Sequence, residues 1–287
     1  MVTLSASTLG APGESLQQVL SWLQQASFAG IELRLSVNEI ADPTLTRAAR
    51  RAIRTEIEDA GVMVTGIASY VKVGSSVEDE MILGSLVGAL DFAADLGAPV
   101  VRVFLGAPVE PGPYDRVPQL LQPREEVNAR AAKRLNAVAS YAEDCGVLPA
   151  VETHDSHPTG QHIAAVLEQV SGPVGAIWDL MHPWRVGETL EESWAALSPW
   201  LASGRGSVQM KDADLPADPT PLLIGEGTLP TDEFAELLIR EGYAGPMTLE
   251  WEKRWHPEAL PLDRALTSTK RWLDRHWPSA DLTNATA

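Results

Sequence analysis

Apolar residues recur along this chain in two alternating rhythms. Short stretches with every second residue apolar are separated by longer ones in which apolar residues return every three or four positions, the periods of a strand and of a helix. The pattern predicts strands near residues 2–6, 30–35, 62–68, 99–105, 147–153, 174–180, 205–210 and 246–251. It predicts helices over 14–27, 43–60, 77–96, 124–144, 160–170, 189–202, 231–242 and 261–277. Ser76 and Thr231 stand where helices are expected to begin, and Gly61, Gly97, Gly146 and Gly242 where four should end.

Strand and helix alternate eight times, which matches an α/β fold of the single (β/α)8 TIM barrel type, with functional groups at the C-terminal ends of the strands. An open doubly wound sheet is the competitor. It predicts a G-x-G-x-x-G turn after an early strand, and the first loop, Leu9-Gly10-Ala11-Pro12-Gly13, lacks that spacing. An open sheet would also read apolar on both faces, whereas here one face is polar. One barrel domain is therefore expected over residues 1–277, with the small, polar tail 278–287 frayed. Two proline-rich loops, 106–123 and 212–230, are expected to act as lids over the mouth.

The strands themselves carry the chemistry. Side chains alternate faces, so Ile31, Leu33, Val101, Val103, Val151, Trp178, Val208, Met210, Leu249 and Trp251 share the apolar face. Glu32, Arg34, Arg102, Glu152, His154, Asp179, Gln209, Lys211, Glu250 and Glu252 share the other. Charge at this density on the inside of strands costs too much to serve packing alone. Either the carboxylates pair with Arg34, Arg102 or Lys211 in a structural network, or they converge on a cation. Glu152, Asp179, Gln209 and Glu250, one oxygen donor from each late strand, form a hard set suited to Mg²⁺ or Mn²⁺ more than to Zn²⁺.

Composition narrows the partners. A formal net charge of −17 and no run of basic residues argue against nucleic acid and anionic membranes. A single cysteine, Cys145, forms no internal disulfide and is expected to be a buried free thiol. No signal-like segment or apolar run of membrane-spanning length is apparent, so a cytoplasmic location is expected. Trp178 and Trp251 are expected to pack outward under helices, and Trp184 to offer an indole face to a ligand. Gly225-Glu226-Gly227 reads as a turn, since its glutamate would repel phosphate; a non-phosphorylated ligand is preferred. His157 and His162 could as easily be solvated as serve a site, and neither is taken as a site residue.

The segments GIELR, VRVFLG, AVETHD, WDLMHPWRVGE, VQMKD and IGEGTLPTDEFAELLIREGYAGPMTLEWE, in this order, resemble the xylose isomerase-like barrel enzymes, the sugar phosphate isomerase/epimerase superfamily. The resemblance covers nearly the whole chain. It implies one divalent metal held by Glu152, Asp179 and Glu250. The family's H-x-K-D on the seventh strand reads here Gln209-Met210-Lys211-Asp212, so Gln209 would ligate through its amide oxygen. That change makes Mn²⁺ or Mg²⁺ the preferred ion, with Co²⁺ or Zn²⁺ next.

The resemblance further implies an isomerase or epimerase of a small keto sugar or polyol-derived ketone. A proton is removed next to the carbonyl, and the enediolate is stabilised by the ion. Glu152 and Glu250 would move the proton, with His154 and His182 as donors to oxygen because imidazole titrates nearest neutrality. Lys211, Arg102, Glu32, Arg185 and Trp184 are the candidate substrate contacts. Alternatives are a metal-dependent dehydratase of the inosose or 3-dehydroshikimate type and a non-catalytic carbohydrate-binding barrel. The superfamily's endonuclease branch is disfavoured by the acidic charge. A homo-oligomer is compatible with such barrels.

Overall fold

A computed structural model describes residues 2–277; the tail expected to fray, 278–287, lies outside the described residues. The strands are β1 Thr3–Ser7, β2 Gly30–Arg34, β3 Met63–Lys72, β4 Val100–Phe104, β5 Leu148–Glu152, β6 Gly175–Asp179, β7 Gly206–Met210 and β8 Pro246–Leu249. They close in chain order into a parallel barrel. Between and after them run α1 Leu16–Gln25, α2 Arg47–Asp59, α3 Asp79–Leu96, α4 Arg124–Ala137, α5 Ala139–Cys145, α6 Gly160–Leu167, α7 Met181–Arg185, α8 Leu190–Leu201, α9 Thr231–Arg240 and α10 Leu262–His276. No helix among the described residues is long and apolar enough to cross a membrane.

Backbone contacts divide the described residues into two compact units, residues 66–207 and residues 2–65 with 208–277. In the first, β3, β4, β5 and β6 pair in order, with Arg102 level with Ala150 and Glu152 level with Ile177. Val100, Ala150 and Ile177 form one buried apolar cluster there. In the second, β1 pairs with both β2 and β8, and β7 pairs with β8, Gln209 level with Thr248 and Met210 with Leu249. Ile31, Leu33, Val208, Met210, Met247 and Leu249 are all at most 1% exposed. Burial on both faces explains why these strands hold no exposed position to signal their edges.

Several expectations change. The predicted helix 124–144 is two helices, broken at Val138, whose φ of −104° and ψ of 3° end α4 and begin α5. The buried stripe Val127, Ala131, Leu135 and Val138 runs through the break, so apolar periodicity does not mark it. Helix α3 starts at Asp79 after Glu78, with no side-chain cap, so Ser76 is not its cap. Thr231 is the first residue of α9 and not its cap. The four glycines named above all have positive φ at or just after helix ends. Cys145 is half-exposed, not buried, because it is the last residue of the short helix α5.

Gly206 opens β7 at φ 141°, and a Cβ there would sit 1.8 Å from the carbonyl oxygen of Ala176. Neither backbone nor neighbour can yield cheaply, so Gly206→Ala combines overpacking with strain, together about 3 kcal/mol or more. Urea denaturation of the variant should show a loss of that size, or no soluble folded protein.

Candidate metal and active site

Parallel strands place the ends of alternate side chains at one rim, and the polar face predicted from alternation is buried there. Glu32, Arg34, Arg102, Glu152, Asp179, Gln209, Lys211 and Glu250 are all 6% exposed or less. The structure shows how part of this charge is compensated within each unit.

In residues 66–207, Arg102 sits two positions short of Glu152 in register, and its long side chain reaches forward to bring Nη1 3.2 Å from Glu152 Oε2. The guanidinium also lies 4.6 Å from the Phe104 ring centroid and 5.5 Å from that of Tyr70. Asp179, the last residue of β6, accepts at Oδ1 from the backbone N–H groups of Met181 (2.7 Å) and His182 (3.2 Å), which starts α7. The His182 ring meets the His154 ring edge-on with centroids 4.3 Å apart, and His154 lies 4.4 Å from the Phe104 ring. One ligand atom from each of Glu152, His154 and His182 lies within 4.8 Å of the others, a spacing that suits a metal ion.

Asp155 is held at the strand end by a left-handed backbone, φ 35°. Burial by itself would raise its carboxyl. His154 and the backbone N–H groups of Ser156 and Gly106 outweigh that and bring it down to about 2. Nothing in the sequence singled Asp155 out, because its partners come from two different loops.

In the other unit, β7 and β8 are in register, so Lys211 continues the face of Gln209, and Glu252 that of Glu250. The Lys211 ammonium contacts Glu250 Oε2 and lies 2.9 Å from Glu252 Oε1. Gln209 Nε2 donates to Glu250 Oε1 at 3.3 Å. The remaining atom, Gln209 Oε1, is buried without a hydrogen-bond partner among the described residues. An unsatisfied buried acceptor costs about 1–3 kcal/mol, and an amide oxygen is a donor that Mg²⁺ or Mn²⁺ accepts. The residues present therefore fit a hard divalent cation.

The other candidates fall as follows. Arg34 is tied to Glu39 at 2.6 Å, with its guanidinium carbon 5.2 Å from the Trp255 ring centroid. Trp184 is 38% exposed, as a sugar platform requires, whereas Trp178 and Trp251 are buried, the latter donating to the Leu260 carbonyl oxygen at 2.8 Å. Arg185 lies on α7 against His182 and Tyr114. Gly225-Glu226-Gly227 is a turn whose glycine N–H groups both donate to Asp212 Oδ2 at 2.9 Å. Glu252 was legible only as one more inward position, since its pairing depends on a lysine 41 residues away.

Of the two histidines left open between solvent and site, His157 lies in the interior and His162 is partly buried. His157 is wholly buried, and its Nδ1 and Nε2 lie 2.9 Å from Ser156 Oγ and 3.0 Å from Asn128 Oδ1. Burial, then Arg124, pushes the two imidazoles down to about 3 and about 4.

The profile of the family described as Xylose isomerase-like TIM barrel matches residues 20–276, and the chain belongs to that family. A protein of Streptomyces coelicolor, provisionally named hydroxypyruvate isomerase, is 29% identical over 77% of this chain and 80% of the relative. Among solved structures, the IolI protein with a bound zinc atom has a TM-score of 0.77 at 14% identity, covering 98% of this chain and 100% of that one. D-psicose 3-epimerase from Clostridium cellulolyticum H10, solved with D-tagatose, has a TM-score of 0.72 at 16% identity, covering 96% and 99%. At these identities the two structures share the fold.

Two predictions follow from the buried groups. The unfolded chain, with histidines titrating near 6.5, binds more protons than the folded one between that value and His157's depressed pKa of about 3. The stability contributed by neutral His157 is complete above about pH 6.5 and is lost as pH falls toward 3. His157→Asn should be less stable at pH 8 but lose less stability on acidification, read as Tm against pH. Lys211→Met leaves a buried glutamate without its cation, and chemical denaturation should show a loss of about 3–5 kcal/mol.

Proposed function

We propose that the protein is a divalent-metal-dependent isomerase or epimerase acting on a small, non-phosphorylated hydroxy ketone. Glu152, Asp179, Gln209 and Glu250 hold the ion, and Mn²⁺ or Mg²⁺ suits this oxygen set best. The observation that carries the reading is the buried amide oxygen of Gln209, without a hydrogen-bond partner among the described residues, at the seventh-strand position where the family resemblance implies a ligand. Family membership supports it, as do the names of the Streptomyces relative and of the epimerase neighbour. Hydroxypyruvate carries a hydroxyl beside a ketone, the unit such chemistry requires, and a carboxylate that a cation such as Lys211 or Arg102 suits.

When bound, the cation supplies Lewis acidity toward a carbonyl and its neighbouring hydroxyl. Glu152 and Glu250 act as the bases, one removing the proton beside the carbonyl and the other returning it. Each is braced by a side-chain cation, Glu152 by Arg102 and Glu250 by Lys211, so neither carboxylate is free to swing between geometries. The same cations oppose the negative charge of the enediolate. Return to the opposite face inverts a centre, and return to the adjacent carbon isomerises. His154 and His182 donate to substrate oxygens, while Glu32 and Trp184 contact the rest of the substrate.

Protein purified without chelator should carry about one divalent ion per chain by elemental analysis, removed by EDTA and restored by Mn²⁺. Loaded protein in D₂O should exchange carbon-bound hydrogen of hydroxypyruvate, D-psicose or D-tagatose, followed by NMR. Glu152→Gln and Glu250→Gln should each slow exchange by about 10²–10⁴-fold. Sugar binding indifferent to EDTA, with no ion retained under any loading, would leave a binding barrel without turnover and sink the reading.

A further inference from the structure

Arg185 stands at the end of α7, three residues after His182, and its Nε–H donates to His182 Nδ1 at 3.2 Å. A guanidinium has five N–H donors and no acceptor. His182 Nδ1 must therefore present its lone pair, which leaves the proton of the neutral ring on Nε2. A histidine that ligates metal through Nε2 normally has an N–H at Nδ1 facing an acceptor. Here Nδ1 faces a donor. Although Glu152, His154 and His182 have ligand spacing, this contact keeps His182 as an N–H donor.

The other end of the same guanidinium holds a loop. Arg185 Nη1 donates to the backbone oxygen of Tyr114, and the guanidinium carbon lies 4.3 Å from the Tyr114 ring centroid. Tyr114 in turn donates from its hydroxyl to Met181 Sδ at 3.6 Å. Tyr114 sits within the proline-rich loop after β4, closed at its base by a bridge between Val109 and Leu120. The flap thus docks on the first and last residues of α7, the helix that carries His182.

We propose that Arg185 is a positioning residue that fixes His182 in its Nε2–H tautomer and latches the 110–119 flap through Tyr114. Flap and imidazole share one guanidinium, so the closed flap and the donor-ready histidine go together. The role of His182 as donor to a substrate oxygen rests on the function proposed above; the tautomer and the latch do not.

The test uses full-length, EDTA-treated protein labelled with ¹⁵N-histidine, at pH 8, by long-range ¹H–¹⁵N correlation, His182 being assigned by its loss in His182→Asn. The wild type should show the Nε2–H pattern. Arg185→Met should give both tautomers and speed amide exchange of residues 110–119 by about tenfold, the worth of the lost hydrogen bond and cation–π contact. Tyr114→Ala should speed flap exchange and keep the tautomer. An Nδ1–H or doubly protonated His182 in the wild type overturns the proposal without any variant, as does Arg185→Met with tautomer and exchange both unchanged. Absent turnover with the tautomer intact counts against the proposed reaction and not against the latch.

Discussion

Ionised side chains buried at the rim of a barrel must be neutralised where they stand, because removing them from water costs several kcal/mol each. That constraint organises the site. Lys211 answers Glu250 and Glu252 across two in-register strands, and Arg102 answers Glu152 across another pair. Both cations then serve a second purpose, since the groups that make burial tolerable also hold the carboxylates in one orientation. The buried oxygen of Gln209 is answered by no hydrogen-bond donor among the described residues, and a divalent cation suits it.

Aspartates perform the same service for the backbone. Asp179 accepts from the first two N–H groups of α7 with one oxygen. Asp212 gathers the N–H groups of Ala213, Gly225, Gly227 and Leu229, at 2.9–3.2 Å, which shapes the loop after β7. Asp155 ties the turn after β5 to Gly106 after β4 at 3.1 Å. Loops that follow strand ends are thus pinned by short acidic side chains, so that histidines and carboxylates near them are presented from a fixed frame.

Much of this was legible because strand periodicity is local. Alternation placed Glu152, Asp179, Gln209, Lys211 and Glu250 on one face, and all five are buried at strand ends. Errors arose where a residue's fate depends on distant chain. His157 read as a loop histidine, yet it is sealed in by Asn128, 29 residues earlier. Cys145 reads as buried within one long amphipathic helix, yet helix α5 is only seven residues long and ends on it. The break at Val138 leaves no mark in the sequence because α4 and α5 share a continuous helical period.

By itself the sequence determined the barrel, through eight repeats of a two-period pattern, and the set of residues that face its inside. Both follow from local stereochemistry, since a strand turns alternate side chains to opposite faces whatever surrounds it. Only the tertiary structure decided partnership. Lys211 chose Glu250 and Glu252, 39 and 41 residues away, and Arg185 reached the oxygen of Tyr114, 71 residues back. Such choices depend on which strand ends and loops the closed fold brings within hydrogen-bond distance, and a hydrogen bond weakens too steeply with distance and angle to be read from spacing along the chain.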